Sequence, residues 1–481
     1  MSHPSRGVNW HIISIVFLAW ALFFVGLHHT PVPTIDGAVR AVMARNLLQT
    51  GQLFPAIYEG APLLDHPPLY VWVTALSYKI FGVNDFAFNL VPRLFALLTV
   101  LVTALIGLKS GLGRGTALLA AFILCSTRDF VLSSVRGYIE PVLEFFIYSA
   151  FLFIILQRKR RSLLFSTLAG LCTFLALFSK GPVVLWPLLF FAFLLALPNA
   201  ENSLTLRARI QSLCVYVSSL LICVGAWAFW VEKSDQWRFW QQYLFDQVLG
   251  SALTGRAGAQ TLEPFFFFDI LLKYYWPWLP LLVWALVQSL KNRLALVFAV
   301  FGLGFLGGFS LVKWKFWYYI APAYPAFALA IAAALHKRIW NWLEHPLVPK
   351  TLLYLSVVWI FIGSTFPLKL YRERVPEVMA FKETIRRSEI LGPVWFVDHP
   401  GDHNQIGTSG EWYFERSVLK VNPVEIGNWS KQLPAQAWVI TGLEKWKACN
   451  ERWCQHSTLI QTAGQSALVL YSRSWSTPLS N

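Results

Sequence analysis

PTIDGAVRAVMARNLLQTGQLFPAIYEGAPLLDHPPLYVW, residues 33 to 72, interrupts a chain otherwise built from apolar runs. One run lies before it, at 11–27, and the next after it, at 92–108. Near its start stands a lone acid, Asp36, and near its end Asp65-His66 precedes two prolines. A polar segment of this length between two hydrophobic runs reads as an extramembrane loop. The chain crosses, emerges with polar groups and re-enters, and that pattern decides the fold.

Within the loop, Thr34 and Asp36 stand before a run of helix-forming composition, Ala38 to Gln49, which Gly51 can end. The plain reading of Asp36 is a helix N-cap with Arg40 four residues on. Prolines 67 and 68 deny His66 a helical conformation and start a second short helix, Pro68 to about Phe81. Asp65-His66 is thereby held on a turn at a helix N-terminus, where the dipole favours anions. Apolar residues cover much of both helices, so they are expected to lie along the membrane interface.

Composition agrees. Of 481 residues 56% are hydrophobic and only 14% charged, against about a quarter in soluble domains. This is the make-up of an integral membrane protein. The net charge of +15 raises nucleic acid as a partner. No DNA- or RNA-reading motif accompanies it, and basic residues on a polytopic chain gather on the cytoplasmic side, so nucleic acid is set aside.

Helix-length apolar runs fall at 11–27, 92–108, 115–127, 140–156, 163–178, 183–197, 213–231, 270–288, 294–312, 316–335 and 351–368, which predicts about eleven spans. The first resembles a signal peptide but is followed by His28-His29-Thr30-Pro31 rather than a small-residue cleavage site, so it reads as a retained span. With the N-terminus inside, the basic loops at Lys109/Arg114, Arg158 to Arg161, Arg207/Arg209, Lys291/Arg293 and Lys337-Arg338 are cytoplasmic. Of the 14 acids in residues 1–369, only Glu201 and Glu344 then face inward. The polar chemistry is expected on the outer face.

From 370 onward the composition changes. A charged helix opens at Pro376, and strand-like runs follow at Val394–Asp398, Val418–Val421, Trp438–Thr441, Leu459–Gln461 and Leu468–Tyr471. The expected division is a transmembrane domain, 1–369, with outer loops at 28–91 and 232–269, and a small α/β domain, 370–481, outside the membrane. Cys449 and Cys454 would sit in that oxidising space, where a disulfide fits; a zinc pair is the rival, without a second cysteine pair to support it.

The residues also carry a resemblance. DGAVRAVMARNLLQTGQLFP followed by APLLDHPPLYVWVTALSYKIFGVNDFAFNLVPRL resembles the first outer loop of the GT-C polytopic glycosyltransferases. More narrowly it is similar to the bacterial branch of the protein O-mannosyltransferase family, which includes the lipid A aminoarabinose transferases. VRGYIEPVLEFF stands where that family has an acid before its fourth span, and FSKGPVVLWP matches its Lys-Gly-Pro signature. The loop around Gly255-Arg256, the stretch YYWPWLPLL and KWKFWYYIAPAYPAFALAIA match its later outer loop and aromatic-Pro span. The match covers about residues 30–335.

The resemblance implies an inner-membrane enzyme of bacteria whose active site and C-terminal domain face the periplasm. It implies a sugar donor on polyprenyl phosphate, such as undecaprenyl phosphate, and a lipid A, glycan, protein or lipid acceptor. The chain departs from the family where Asp36-Gly37 replaces Asp-Glu and Asp65-His66 replaces Glu-Lys. Acid and cation survive in kind, with a shorter acid and an imidazole.

Asp36 is the candidate to position or deprotonate the acceptor; its alternative is the cap. Asp65 is a candidate orienting acid, and with His66 it offers two ligand types for a divalent metal. His66 is a candidate for the donor phosphate or a backbone-bonded turn residue. Glu140 is a candidate acid at the mouth of a span, or a cap or a surface partner of Arg136. Lys180, pinned by Gly181-Pro182, suits an anion or snorkels to the surface. Arg256 offers a bidentate phosphate contact. Lys313 and Lys315 read the phosphate or anchor their span. The aromatic clusters at Trp237, Trp240, Phe265–Phe268, Trp276, Trp278, Tyr318 and Tyr319 read first as interface belts and second as a prenyl groove or sugar platform.

An impermeant maleimide tests the topology. Glu140→Cys and Arg160→Cys are expected to label from opposite sides of the membrane, and labelling of both from one side refutes the orientation.

Overall fold

The computed structural model describes residues 10–32, 34–58, 61–64, 66–196, 205–233, 237–254, 265–365, 376–390, 392–397, 403–416, 418–421, 432–449, 452–463 and 465–473. They belong to two compact units. One comprises Met1–His29, Gln52–Ala56 and Pro62–Lys369; the other comprises Thr30–Gly51, Ile57–Ala61 and Leu370–Asn481. Residues 30–51, read above with the first loop, thus cluster with the C-terminal segment.

The first part of the chain runs α1 (Trp10–Phe23), α2 (Ile35–Thr50, in the second unit), α3 (Leu69–Phe81), α4 (Asp85–Lys109), α5 (Arg114–Cys125), α6 (Arg128–Val135), α7 (Glu140–Arg160) and α8 (Leu163–Lys180). It continues with α9 (Leu185–Ala196), α10 (Leu206–Lys233), the short α11 (Trp237–Trp240), a π-helix (Gln241–Thr254), α12 (Phe266–Tyr274) and α13 (Leu279–Ser289). Then come α14 (Arg293–Ser310), a 3₁₀ segment (Trp317–Ala323), α15 (Tyr324–Leu343) and α16 (Leu347–Thr365).

The chain is a polytopic helical membrane protein, but the count of eleven spans is not what the described residues show. Six helices are long and apolar enough to cross a membrane: α4, α7, α8, α10, α14 and Trp317–Ile339. Two bent pairs, α5 with α6 at 65° and α12 with α13 at 117°, raise the number to eight. The expected runs at 11–27, 183–197 and 351–368 appear as the shorter apolar helices Trp10–Phe23, Pro182–Ala196 and Leu347–Ile362. These three are 10–17 residues long, short for a helix that crosses a bilayer. Pro277, which has no N–H to give, lies in the break between α12 and α13.

Local chemistry sets the helix ends. Asn84 caps α4 by accepting from the Ala87 amide at 2.9 Å, with Asp85 in the first turn and Lys109 in the last. Arg93 is fully buried within α4 and donates from Nη1 to the carbonyl of Phe23, the last residue of α1, at 3.0 Å. That bond satisfies a carbonyl the helix itself leaves open. The buried face of the 3₁₀ segment and α15 is rich in small residues, including Ala321, Ala323, Ala326, Ala328, Ala330 and Ala332. Small side chains let neighbouring backbones approach closely.

In the second unit, α17 (Pro376–Arg386), α18 (His403–Phe414), α19 (Leu443–Lys447) and α20 (Arg452–Gln455) accompany a five-stranded sheet. A two-stranded ribbon, β1 (Ala56–Tyr58) with β2 (Ala61–Leu63), precedes it in the chain. The sheet strands are β3 (Val394–Val397), β4 (Val418–Val421), β5 (Gln436–Gly442), β6 (Ser457–Ala463) and β7 (Ser466–Ser472), in the order β4-β3-β5-β7-β6. β3 pairs in parallel with β4 and β5, and β7 runs antiparallel to β5 and β6. All four residues of β3 are buried, as a strand covered on both faces requires. Trp395, Val397, Val439 and Tyr471 build one core with Trp453 and Cys454. Cys449 and Cys454 are joined by a disulfide.

α2 is part of this unit's packing. Thr34, not Asp36, is its N-cap: the Thr34 side chain accepts from the Gly37 amide at 2.9 Å, and Gly51 closes the other end in the left-handed conformation. Arg45 reaches the last carbonyls of α18, from Nη1 to Glu411 at 3.4 Å and Trp412 at 3.5 Å, and lies over the Trp412 ring. The Tyr413 hydroxyl accepts from the amide of Val32 at 2.8 Å.

Candidate active site

Glu140 opens α7, one residue before Pro141, and its carboxylate is buried against the ammonium of Lys180 at the last residue of α8. The two helices are joined by the short turn at Arg161-Ser162, so Glu140 and Lys180, at their far ends, come back together. A carboxylate at a helix N-terminus and a cation at a helix C-terminus each sit at the favourable pole of a dipole. The Lys180 side chain keeps 16% of its exposure and that of Glu140 only 2%, so the pair opens on the lysine side.

The backbone around each partner is fixed. Gly181 follows Lys180 at φ +83°, and a Cβ there would meet the Tyr243 hydroxyl at 1.3 Å. That hydroxyl donates to the Lys180 carbonyl at 3.4 Å. The turn before Glu140 passes through Gly137 at φ +71°, whose absent Cβ would fall 2.6 Å from the Phe88 ring. Tyr70, in the first turn of α3, donates to the Gly137 carbonyl at 3.3 Å. The helix that follows His66-Pro67-Pro68 is thus tied to the turn that presents Glu140.

Aromatic rings wall the lysine. Its Nζ lies 4.6 Å from the Tyr319 ring centre and 5.2 Å from that of Tyr318, within cation–π range. Tyr138 lies against Tyr318 at 4.4 Å and against Trp317 at 5.8 Å. Arg136 sits over Trp317. Deeper on the same face of α7, Glu144 is fully buried, and the Tyr148 hydroxyl donates to the Pro322 carbonyl at 2.6 Å and accepts from the Ala326 amide at 3.0 Å. On the neighbouring α6, Asp129 accepts from the Tyr324 hydroxyl at 3.0 Å and pairs with Arg128 at 3.3 Å.

Glu140 and Lys180 meet, and Glu140 is paired with Lys180 rather than being a surface partner of Arg136. Tyr318 and Tyr319 join the pair. His66 is half-buried on the turn before α3. Lys313 is exposed and Lys315 half-buried ahead of the 3₁₀ segment. Asp36 is exposed in the first turn of α2, in the second unit. Asp65 and Arg256 lie outside the described residues, and so does the metal reading that needs Asp65. Among the described residues no group of three or more His, Cys, Asp or Glu is arranged to hold a metal.

Three comparisons bear on this arrangement. The sequence profile of the dolichyl-phosphate-mannose-protein mannosyltransferase family matches residues 65–230, the segment that holds both Glu140 and Lys180. The fold superimposes on the crystal structure of ArnT from Cupriavidus metallidurans bound to undecaprenyl phosphate with a TM-score of 0.74, at 14% identity, over 97% of this chain and 99% of that one. These likenesses support a glycosyltransferase family of the GT-C type. An uncharacterised protein of Aquifex aeolicus is 29% identical over 86% of this chain and 84% of its own length. The undecaprenyl phosphate-alpha-4-amino-4-deoxy-L-arabinose arabinosyl transferase of Pectobacterium carotovorum is 25% identical over 68% of this chain and 61% of its own length.

The close approach at Gly181 generates a test. Gly181→Ala is expected to destabilise by about 1–3 kcal/mol from backbone strain alone, before the clash with Tyr243 is added. Tyr243→Ala on that background is expected to recover part of the loss in thermal unfolding. Unchanged stability of Gly181→Ala contradicts the packing described.

Proposed function

We propose that this protein transfers a sugar from a polyprenyl-phosphate carrier to an acceptor at the outer face of the bacterial inner membrane. The observation that carries the reading is the buried Glu140–Lys180 pair beneath Tyr318 and Tyr319. A lysine fixed by Gly181 and by a carboxylate, and left open on one side, is a receptor for an anion at lipid-head depth.

Chemistry sets the roles. Polyprenyl phosphate departs already charged, so the leaving group asks for cations more than for a general acid. Lys180, with His66 and Arg256, holds the donor phosphate, and Lys313 and Lys315 add positive charge near the same end of the 3₁₀ segment. Glu140 holds the Lys180 side chain in place before donor arrives. Tyr318 and Tyr319 provide flat faces for a sugar or prenyl chain. A hydroxyl acceptor must lose its proton as it attacks, and Asp36 is assigned to orient it and take that proton. Attack by the acceptor oxygen on the anomeric carbon, with departure of the phosphate oxygen, is a single displacement that inverts the centre. Asp65 is assigned as an orienting acid or as part of a cation site. Lipid A, another glycan, a protein and a lipid all supply suitable hydroxyl acceptors.

Purified protein given a polyprenyl-phosphate sugar and envelope extract provides the test. Lys180→Met is expected to raise the donor KM by at least about tenfold, as loss of a charge-assisted contact does. Asp36→Asn is expected to lower kcat by about 10²–10⁴ while donor binding persists. Undiminished turnover by Asp36→Asn removes that residue from the mechanism. Absence of any transfer by the wild type, with donor still bound, makes the protein a carrier-binding relative without catalysis.

A further inference from the structure

Glu144 is a charge-bearing side chain that the roles above leave unused. It lies one turn after Glu140 on α7, at a spacing that puts two side chains on one face. It is fully buried, and neither carboxyl oxygen has a hydrogen-bond partner among the described residues. Glu140 and Lys180 both act on it electrostatically. One turn deeper, Tyr148 is committed to Pro322 and Ala326. Glu144 therefore stands between two satisfied rungs of a polar ladder, Glu140–Lys180 above it and Tyr148 below, and is itself unsatisfied.

An ionised carboxyl so placed would be among the costliest groups in the molecule. It also has a neighbour whose needs change during the proposed reaction. When Lys180 turns to the donor phosphate, buried Glu140 loses its counter-ion. We propose that Glu144 carries a proton and takes over from Lys180 as the partner of Glu140, its O–H donating to the Glu140 carboxylate in the donor-bound state. No covalent bond outside the shared hydrogen changes, the two carboxyls hold one proton throughout, and their joint charge stays at minus one. Glu144 is a positioning residue: it lowers the cost of releasing Lys180. The proposal rests on the reading that Lys180 receives the donor phosphate.

The experiment uses full-length protein in detergent micelles, with undecaprenyl phosphate as the probe and tryptophan fluorescence as the binding readout. Glu144→Met is expected to fold with equal or higher thermal stability, since an unsatisfied polar group is replaced by an apolar one of similar length. Its affinity for the probe is expected to fall by at least about tenfold, because Glu140 is left uncompensated when Lys180 moves. Glu144→Gln, whose amide also donates, is expected within about threefold of the wild type. The double variant Glu140→Gln with Glu144→Met is expected to regain most of the lost affinity, the coupling that a purely structural role would not produce. Infrared spectra are expected to show a protonated-carboxyl band that disappears in Glu144→Gln and shifts when the probe binds.

Unchanged affinity of Glu144→Met, equal damage in Glu144→Gln, or absence of the protonated band overturns the proposal while leaving the donor assignment standing. A wild type that does not bind undecaprenyl phosphate overturns the donor assignment, and this proposal with it.

Discussion

A lysine and a glutamate brought together at the ends of two adjacent apolar helices are the constraint around which the first unit is built. Desolvating either charge alone costs several kcal/mol, and removing one partner of a buried pair typically destabilises by about 3–5 kcal/mol. Glu140 and Lys180 tolerate this position because each meets the favourable pole of a helix and the other's charge. The surroundings are arranged to keep them there. Gly181 admits the Tyr243 ring against the lysine's backbone, Gly137 admits Phe88 beneath the turn into α7, and Tyr70 ties that turn to α3. An ion pair of this kind contributes little net stability. What the pair does fix is the position of the lysine, whose side chain keeps part of its exposure while the carboxylate is buried.

The ladder on α7 extends that logic inward. Glu140, Glu144 and Tyr148 recur every four residues on one face of a helix that is apolar over most of its length. Tyr148 clamps the start of α15 through Pro322 and Ala326, and the preceding residues of the 3₁₀ segment supply the rings over Lys180. Packing and chemistry thus share one element: the same seven residues that connect to α15 also wall the lysine. In the second unit, α2 is fixed by its Thr34 cap, by Arg45 on the last carbonyls of α18 and by the Val32–Tyr413 bond. Asp36 is therefore presented from an anchored helix, with its side chain left exposed.

Much of this was legible in the chain. The apolar runs identified a polytopic helical protein, and Pro67-Pro68 and Gly51 marked helix ends that the structure reproduces. Lys180 stands out as a charge beside Gly-Pro between two apolar runs, readable as an anion contact or as a snorkelling lysine. The pairing of Glu140 with Lys180 was not legible, since 40 residues separate them and only the antiparallel packing of α7 on α8 brings them together. The eleven apolar runs exceed the eight spans among the described residues at three short apolar helices, which hydropathy alone does not separate from full spans. The sequence offers Asp36 as a cap, but Thr34, two residues earlier, is the residue that caps α2. Glu144 and Asp129 were overlooked although the signal was present: an acid inside an apolar run, at four-residue spacing from another acid or beside an arginine. The partner of Asp129, Tyr324 on α15, could not be read from spacing.

A structure determined by electron cryomicroscopy with undecaprenyl phosphate bound tests the account most directly. The phosphate is predicted to lie at hydrogen-bond distance, about 2.7–3.0 Å, from the Lys180 Nζ, beneath Tyr319 and with the Glu140 contact loosened. Phosphate density remote from Lys180, with the Glu140 pair still closed, would contradict it.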